Sequence, residues 1–118
     1  MVPCRLRIVV YPETSRTWTA RGLEHDLAAE GRSIESAIDA VMKIALAHIA
    51  YDRRHDREPL SAFMAAPRLY WTAFHGGTPL PVTMEVPWSA HGATGKIITA
   101  LVQHHPAVRP FSGYARSA

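Results

Sequence analysis

Polar and apolar positions alternate from the first residues of the chain. Cys4, Leu6, Ile8 and Val10 share one face, and Arg5, Arg7, Val9 and Tyr11 share the other. This period of two, with β-branched residues, predicts a half-buried strand. Pro12-Glu13-Thr14-Ser15-Arg16 carries turn chemistry, and alternation resumes at Thr17-Trp18-Thr19-Ala20-Arg21. Residues 4–22 therefore read as a hairpin. A third short strand is expected at Leu27–Glu30, closed by Gly31, which adopts positive φ at little cost.

The pattern then changes period. Ser33 is a suitable N-cap, and Glu35 falls in the first turn, where the helix dipole favours an acid. Ile34, Ile38, Val41, Ala45 and His48 follow helical spacing, with Ala37, Ile44 and Ile49 widening the stripe. A helix from Ile34 to about Tyr51 is predicted, and its apolar stripe must cover one face of the preceding strands. Beyond it the pattern weakens. Leu60–Ala66 reads as a short helical turn, Ala73–Pro81 as a loop, and Val82–Val86 as a fourth strand. Ser89–Gly95 reads as a loop or helix entry, and Lys96–His104 as a helix ending before Pro106. Residues 107–118 read as a tail.

These elements define an α+β fold: a small antiparallel sheet of three to four strands with one long helix on a face and a less regular C-terminal half. Residues 1–74 form the strand–strand–strand–helix unit with an aromatic extension. Residues 75–118 are a C-terminal extension expected to pack on the same domain. At 118 residues the chain suits one domain. No apolar run approaches membrane-spanning length, and Met1-Val2-Pro3-Cys4-Arg5 lacks the features of a secretory leader, so a cytoplasmic location is expected. The lone Cys4 leaves no internal disulfide and reads as packing. The net charge of +3 is mild. Residues 1–59 are balanced, and the excess comes from Arg68, Lys96, Arg109 and Arg116 against Glu85 alone. Spread so thinly, these residues do not form a nucleic-acid-binding stripe.

Several groups of side chains carry candidate chemistry. His48, Asp52 and His55 stand at i, i+4 and i+7 on one helical face, a spacing that suits a shared cation. The simpler reading is a solvated helix end, because the pattern lacks the mechanistic signature of a metalloprotease helix. Glu24 and Asp26 lie two apart at a strand end and would share a face if the strand continued. Paired carboxylates suggest two-metal chemistry. With Glu85 the only acid after the helix region, pairing with Arg21 or contact with a partner fits better. His104-His105 reads as a helix terminus, and Arg53-Arg54-His55-Arg57 is cancelled by Asp52, Asp56 and Glu58. Tyr70 and Trp71, with Phe63 and Phe74, form an aromatic group that no basic cluster interleaves, Arg68 standing alone, which suits a core or an interface better than base stacking. Neither a phosphate-binding loop nor a nucleophile elbow is present in the sequence, and no cofactor is expected.

One family resemblance emerges from the ordered set of segments. These are the strand Leu6-Arg7-Ile8-Val9-Val10-Tyr11, the aromatic strand Trp18-Thr19-Ala20-Arg21, and the run Asp26-Leu27-Ala28-Ala29-Glu30-Gly31-Arg32-Ser33 into Ile34-Glu35-Ser36-Ala37-Ile38. Together they resemble HicB-like antitoxins. Leu23-Glu24-His25-Asp26 and Ala66-Pro67-Arg68-Leu69-Tyr70-Trp71-Thr72-Ala73-Phe74 are similar to segments of the stand-alone members. Pro79, Pro81, Pro87, Pro106 and Pro110 interrupt residues 75–118, and no helix-turn-helix is legible there. The resemblance implies a partial RNase-H-like sheet in a cytoplasmic bacterial protein that self-associates. In paired members the domain blocks a small RNA-cleaving toxin. The expectation is a non-enzymatic interaction module, a homo-oligomer, with Glu24, Asp26, Tyr70 and Trp71 as partner-binding residues. A nucleic-acid-binding regulator and, behind it, a metal-dependent hydrolase are the alternatives.

Overall fold

The computed structural model describes residues 4–81, 85–87 and 94–108. Strand β1 (Cys4–Pro12) and strand β2 (Trp18–Gly22) form the expected antiparallel hairpin, with Val10 opposite Ala20. Strand β3 (Leu27–Gly31) pairs antiparallel with β2, with Ala20 opposite Ala29.

Helix α1 (Ile34–Arg54) follows after two residues. Its start is a reciprocal capping box. The Ser36 backbone N–H donates to Ser33 Oγ at 3.0 Å, and the Ser33 N–H donates to Ser36 Oγ at 3.0 Å. Gly31 does not use left-handed backbone. A Cβ there would collide with Ser36 Oγ and the Ala37 backbone nitrogen, so the glycine is required by close approach to the helix start. The buried face of α1 holds Ala37, Ile38, Val41, Met42, Ala45, Ile49 and Asp52. Relative to the expected stripe it is rotated away from Ile44 and His48, which are exposed, towards Met42 and Asp52.

The second half departs from expectation. Residues 68–76 form helix α2 (Arg68–Gly76), and strand β4 (Thr78–Leu80) follows directly, where a loop was expected over Ala73–Pro81. Leu60–Ala66 is a turn followed by irregular chain, not a helical turn. Val82–Met84 lies outside the described residues, and strand β5 occupies Glu85–Pro87. Residues 88–93 also lie outside them. The expected helix at Lys96–His104 is instead strand β6 (Thr94–Leu101), followed by a bend. Ile97, Ile98 and Thr99 are β-branched and favour the pleated conformation once a partner strand is available.

That partner is β1. β6 lies parallel to it, pairing Leu6 with Ile97 and Val10 with Leu101. The other edge of β6 pairs antiparallel with β4 and with β5. The result is one six-stranded sheet, five positions wide in the order β3-β2-β1-β6-β4, with β5 alongside β6. The sheet is therefore mixed and wider than the small antiparallel sheet expected, and the α+β class holds.

Both faces of β1 are covered, so it is not half-buried. Leu6, Ile8 and Val10 join Ala20, Leu27, Ile97 and the inner face of α1 in one apolar cluster. Val9 and Tyr11 point the other way, into a second cluster with Leu23, Ala66 and Tyr70 beneath α2. The two helices thus sandwich the sheet, α1 over β2 and β3 and α2 over β1 and β6. No helix among the described residues is long and apolar enough to cross a membrane.

Candidate functional site: two arginine stacks at one end of the sheet

β2 does not run straight into β3. Residues 23–26 form a turn in which Asp26 has φ 48°. The strand continuation that would set Glu24 and Asp26 on one face is absent. A short polar side chain tolerates this left-handed backbone, which is consistent with aspartate at the position. Leu23 anchors the turn, donating its N–H to the Arg7 carbonyl at 2.8 Å and accepting from Ala66 N–H at 2.8 Å. The second bond ties the segment before α2 to the same end of the sheet.

Around this turn, the structure groups the four residues expected to bind a partner. Two arginines connect them: Arg21, expected as an ion-pair partner of this strand end, and Arg7, for which no role is expected. Glu24 Oε1 accepts from the Arg7 backbone N–H at 2.7 Å, and Glu24 Oε2 accepts from Arg7 Nη1 at 2.5 Å. The Arg7 guanidinium lies 5.6 Å from the centroid of Trp71. Asp26 Oδ1 accepts from Arg21 Nη1 at 2.6 Å, and Arg21 lies 4.3 Å from the centroid of Tyr70. Each unit is a carboxylate, an arginine and an aromatic ring of α2. The Arg21–Asp26 pair matches the expected pairing. Alternation sets Arg7 on the face of β1 shared with Val9 and Tyr11, and the ring it meets follows only from the packing of α2 on that face.

Electrostatics tighten the second stack. Tyr11 is fully buried, and its hydroxyl accepts from Arg21 Nε at 3.2 Å. Burial raises the Tyr11 pKa to about 12, against the opposing pull of Arg21. For Arg21, burial opposes the charge, but hydrogen bonds to Tyr11 and Asp26 outweigh it and raise its pKa. Tyr70 stacks beside Tyr11 at 5.7 Å, and His105 meets Tyr11 edge-on at 4.6 Å. His105 lies beyond the end of β6 rather than at a helix terminus. Its Nδ1 accepts from Ala107 N–H at 3.0 Å, and its Nε2 stands 3.3 Å from Glu13 Oε2. Glu13 in turn accepts from Thr19 Oγ1 at 2.7 Å.

His25 sits between the carboxylates in sequence but faces the α1 side. It borders a cavity of about 20 Å³ lined by Leu6, Ile8, Val41, Met42 and Leu60, space for about one water. Burial pushes its pKa down, opposed by Glu24 and by hydrogen bonds to the backbone of Leu60 and Phe63.

The histidine–aspartate spacing on α1 does not converge. His48 packs edge-on against Phe63 at 4.9 Å. His55 stacks on Tyr51, with Nδ1 2.8 Å from the Tyr51 carbonyl. Asp52 is buried rather than turned to water, and its Oδ2 accepts from Leu60 N–H at 2.8 Å. That bond holds Leu60 at φ 61°, backbone strain for a bulky residue. Among the described residues, no group of three or more histidine, cysteine or acidic side chains is arranged to hold a metal ion. The Cys4 and Glu85 side chains and residues 109–118 lie outside the described residues.

No protein-family model, curated protein or solved structure gives a significant match to the chain. The geometry of the site is therefore the basis for a functional reading.

Proposed function

We propose that the chain is a non-enzymatic protein-interaction module of the HicB-like kind, which self-associates and binds a protein partner at the end of the sheet carrying Glu24, Asp26, Tyr70 and Trp71. The observation that carries this reading is the pair of arginine stacks. Arginine, tyrosine and tryptophan are the residue types that dominate protein-binding surfaces. Here they are fixed by carboxylates and by packing before any partner arrives, which lowers the ordering cost of binding. The run of three antiparallel strands, a glycine and a serine-capped helix supports the family resemblance. A small RNA-cleaving toxin is the partner class that the resemblance suggests.

Affinity capture from a source lysate, with and without nuclease, tests the reading. The expected result is a small basic protein retained after nuclease and lost with Trp71→Ala. Asp26→Asn, which keeps a residue tolerant of the turn backbone, should weaken capture without disturbing the fold. Capture abolished by nuclease would transfer the function to nucleic-acid binding. A monomer that retains no protein would overturn the proposal.

A further inference from the structure

Tyr70 and Phe74 turn one side of α2 towards the sheet, where they join the second apolar cluster. On another side, Leu69 and Ala73 stand one helical turn apart, as do Arg68 and Thr72. The chain after β6 faces these four residues across an open groove of about 710 Å³. That volume is in the range of small-molecule sites. Leu69, Ala73, Pro106 and Val108 make its walls apolar, with Leu69 41% and Val108 61% exposed. The groove is separate from the arginine stacks: none of Arg7, Arg21, Glu24, Asp26, Tyr70 and Trp71 lines it.

We infer that this groove binds a small amphiphilic anion, an apolar body that carries one carboxylate or sulfonate group. The charges of the lining select the sign. Among the described residues, the ionisable side chains that line it are Arg68, His104 and His105, and no acid joins them. His105 is engaged, with Nε2 3.3 Å from Glu13 and its ring edge-on to Tyr11. Arg68 and His104 are exposed and make no ion pair among the described residues. The Arg68 guanidinium is therefore free to meet an anion beside an apolar wall, and His104 adds to the attraction when protonated.

The backbone of the lining argues for a small molecule over a peptide. An extended peptide takes much of its affinity from main-chain hydrogen bonds. Along the segment after β6, Pro106 has no N–H, the Ala107 N–H donates to His105 Nδ1, and the Val108 N–H donates to the His105 carbonyl, both at 3.0 Å. The facing residues belong to a helix, whose main-chain groups bond along its own axis. The groove thus offers side chains and little main chain. Charge also argues against the chain's own residues 109–118 as occupant, because they hold Arg109 and Arg116 and no acid to set beside Arg68.

Titration of the full chain with anilinonaphthalene sulfonate, an apolar aromatic anion, tests the inference. The expected result is a saturable rise in probe fluorescence at one probe per chain, reversed by decanoate. Arg68→Glu should weaken probe binding about tenfold, and Val108→Asp, which sets a carboxylate in the apolar wall, should do the same. Both side chains are exposed, so both variants should keep the wild-type circular dichroism spectrum and melting temperature. Met64→Asp changes an exposed apolar residue that does not line the groove, and should leave the titration unchanged. A wild-type chain without a saturable rise would overturn the inference. So would binding that ignores Arg68→Glu and Val108→Asp, or that falls as far with Met64→Asp. Binding that emerges only when Phe111 and Tyr114 are both replaced by alanine would assign the groove to the chain's own residues 109–118 and overturn it equally.

Discussion

The guanidinium of Arg21 lies 4.3 Å from the centroid of the Tyr70 ring while its Nε donates to the buried hydroxyl of Tyr11. One side chain of β2 thus fastens α2 to the sheet from beneath. Arg21→Lys keeps the charge but loses the planar fork that makes both contacts. The expected cost is about 1–2 kcal/mol, the sum of one hydrogen bond to a buried group and a partly exposed cation–π contact. Chemical denaturation of the two proteins at one pH measures it.

Tyr11 should govern the alkaline limit of stability. Its folded pKa, about 12, lies above the ordinary value of 10.0. The unfolded chain therefore releases this proton first, and the stabilisation, complete below pH 10, is lost as pH rises from about 10 to 12. Tyr11→Phe should flatten this alkaline slope. An absorbance titration of tyrosinate should show one ring ionising later than the others in the folded protein.

On the acid side the sign reverses. Burial lowers the His25 pKa beneath its ordinary 6.5, so the unfolded chain binds the proton more readily. The stability that neutral His25 contributes is full above about pH 6.5 and falls as pH drops below it. Thermal melts between about pH 7 and 5 should show a steeper decline for the wild type than for His25→Gln. Equal slopes would remove His25 from the account.

Asp52 presents the clearest single-site cost. It receives the Leu60 N–H in a buried setting, and Leu60 is itself fully buried with left-handed backbone. Asp52→Ala leaves that N–H without a partner and should destabilise the fold by about 1–3 kcal/mol. Asp52→Asn retains an acceptor and should cost less. Equal losses for both variants in urea denaturation would show that the bond to Leu60 does not account for the effect.

Sequence alone determined the elements with local causes. The β1–β2 hairpin follows from alternation around a turn-forming segment, and α1 follows from its periodic apolar stripe and the Ser33 cap. Gly31 was legible as a special position, although its reason is contact with Ser36 and Ala37 rather than positive φ. Glu24, Asp26, Tyr70 and Trp71 were legible as unusual side chains.

Tertiary structure decided the rest. Lys-Ile-Ile-Thr-Ala-Leu supports either a buried helix or a buried strand by periodicity, and only the parallel pairing with β1, about ninety residues away in sequence, selects the strand. That pairing widens the sheet and makes it mixed. The placement of α2 on the opposite face from α1 likewise depends on Leu23, Ala66 and Tyr11, which come from three separated segments. The same placement gives Arg7 and Arg21 their roles, because an arginine on an alternating strand carries no local sign of the ring it will meet. Local patterns encode the hairpin and the helix, whereas the strand order and the arginine stacks arise from contacts between residues distant in sequence.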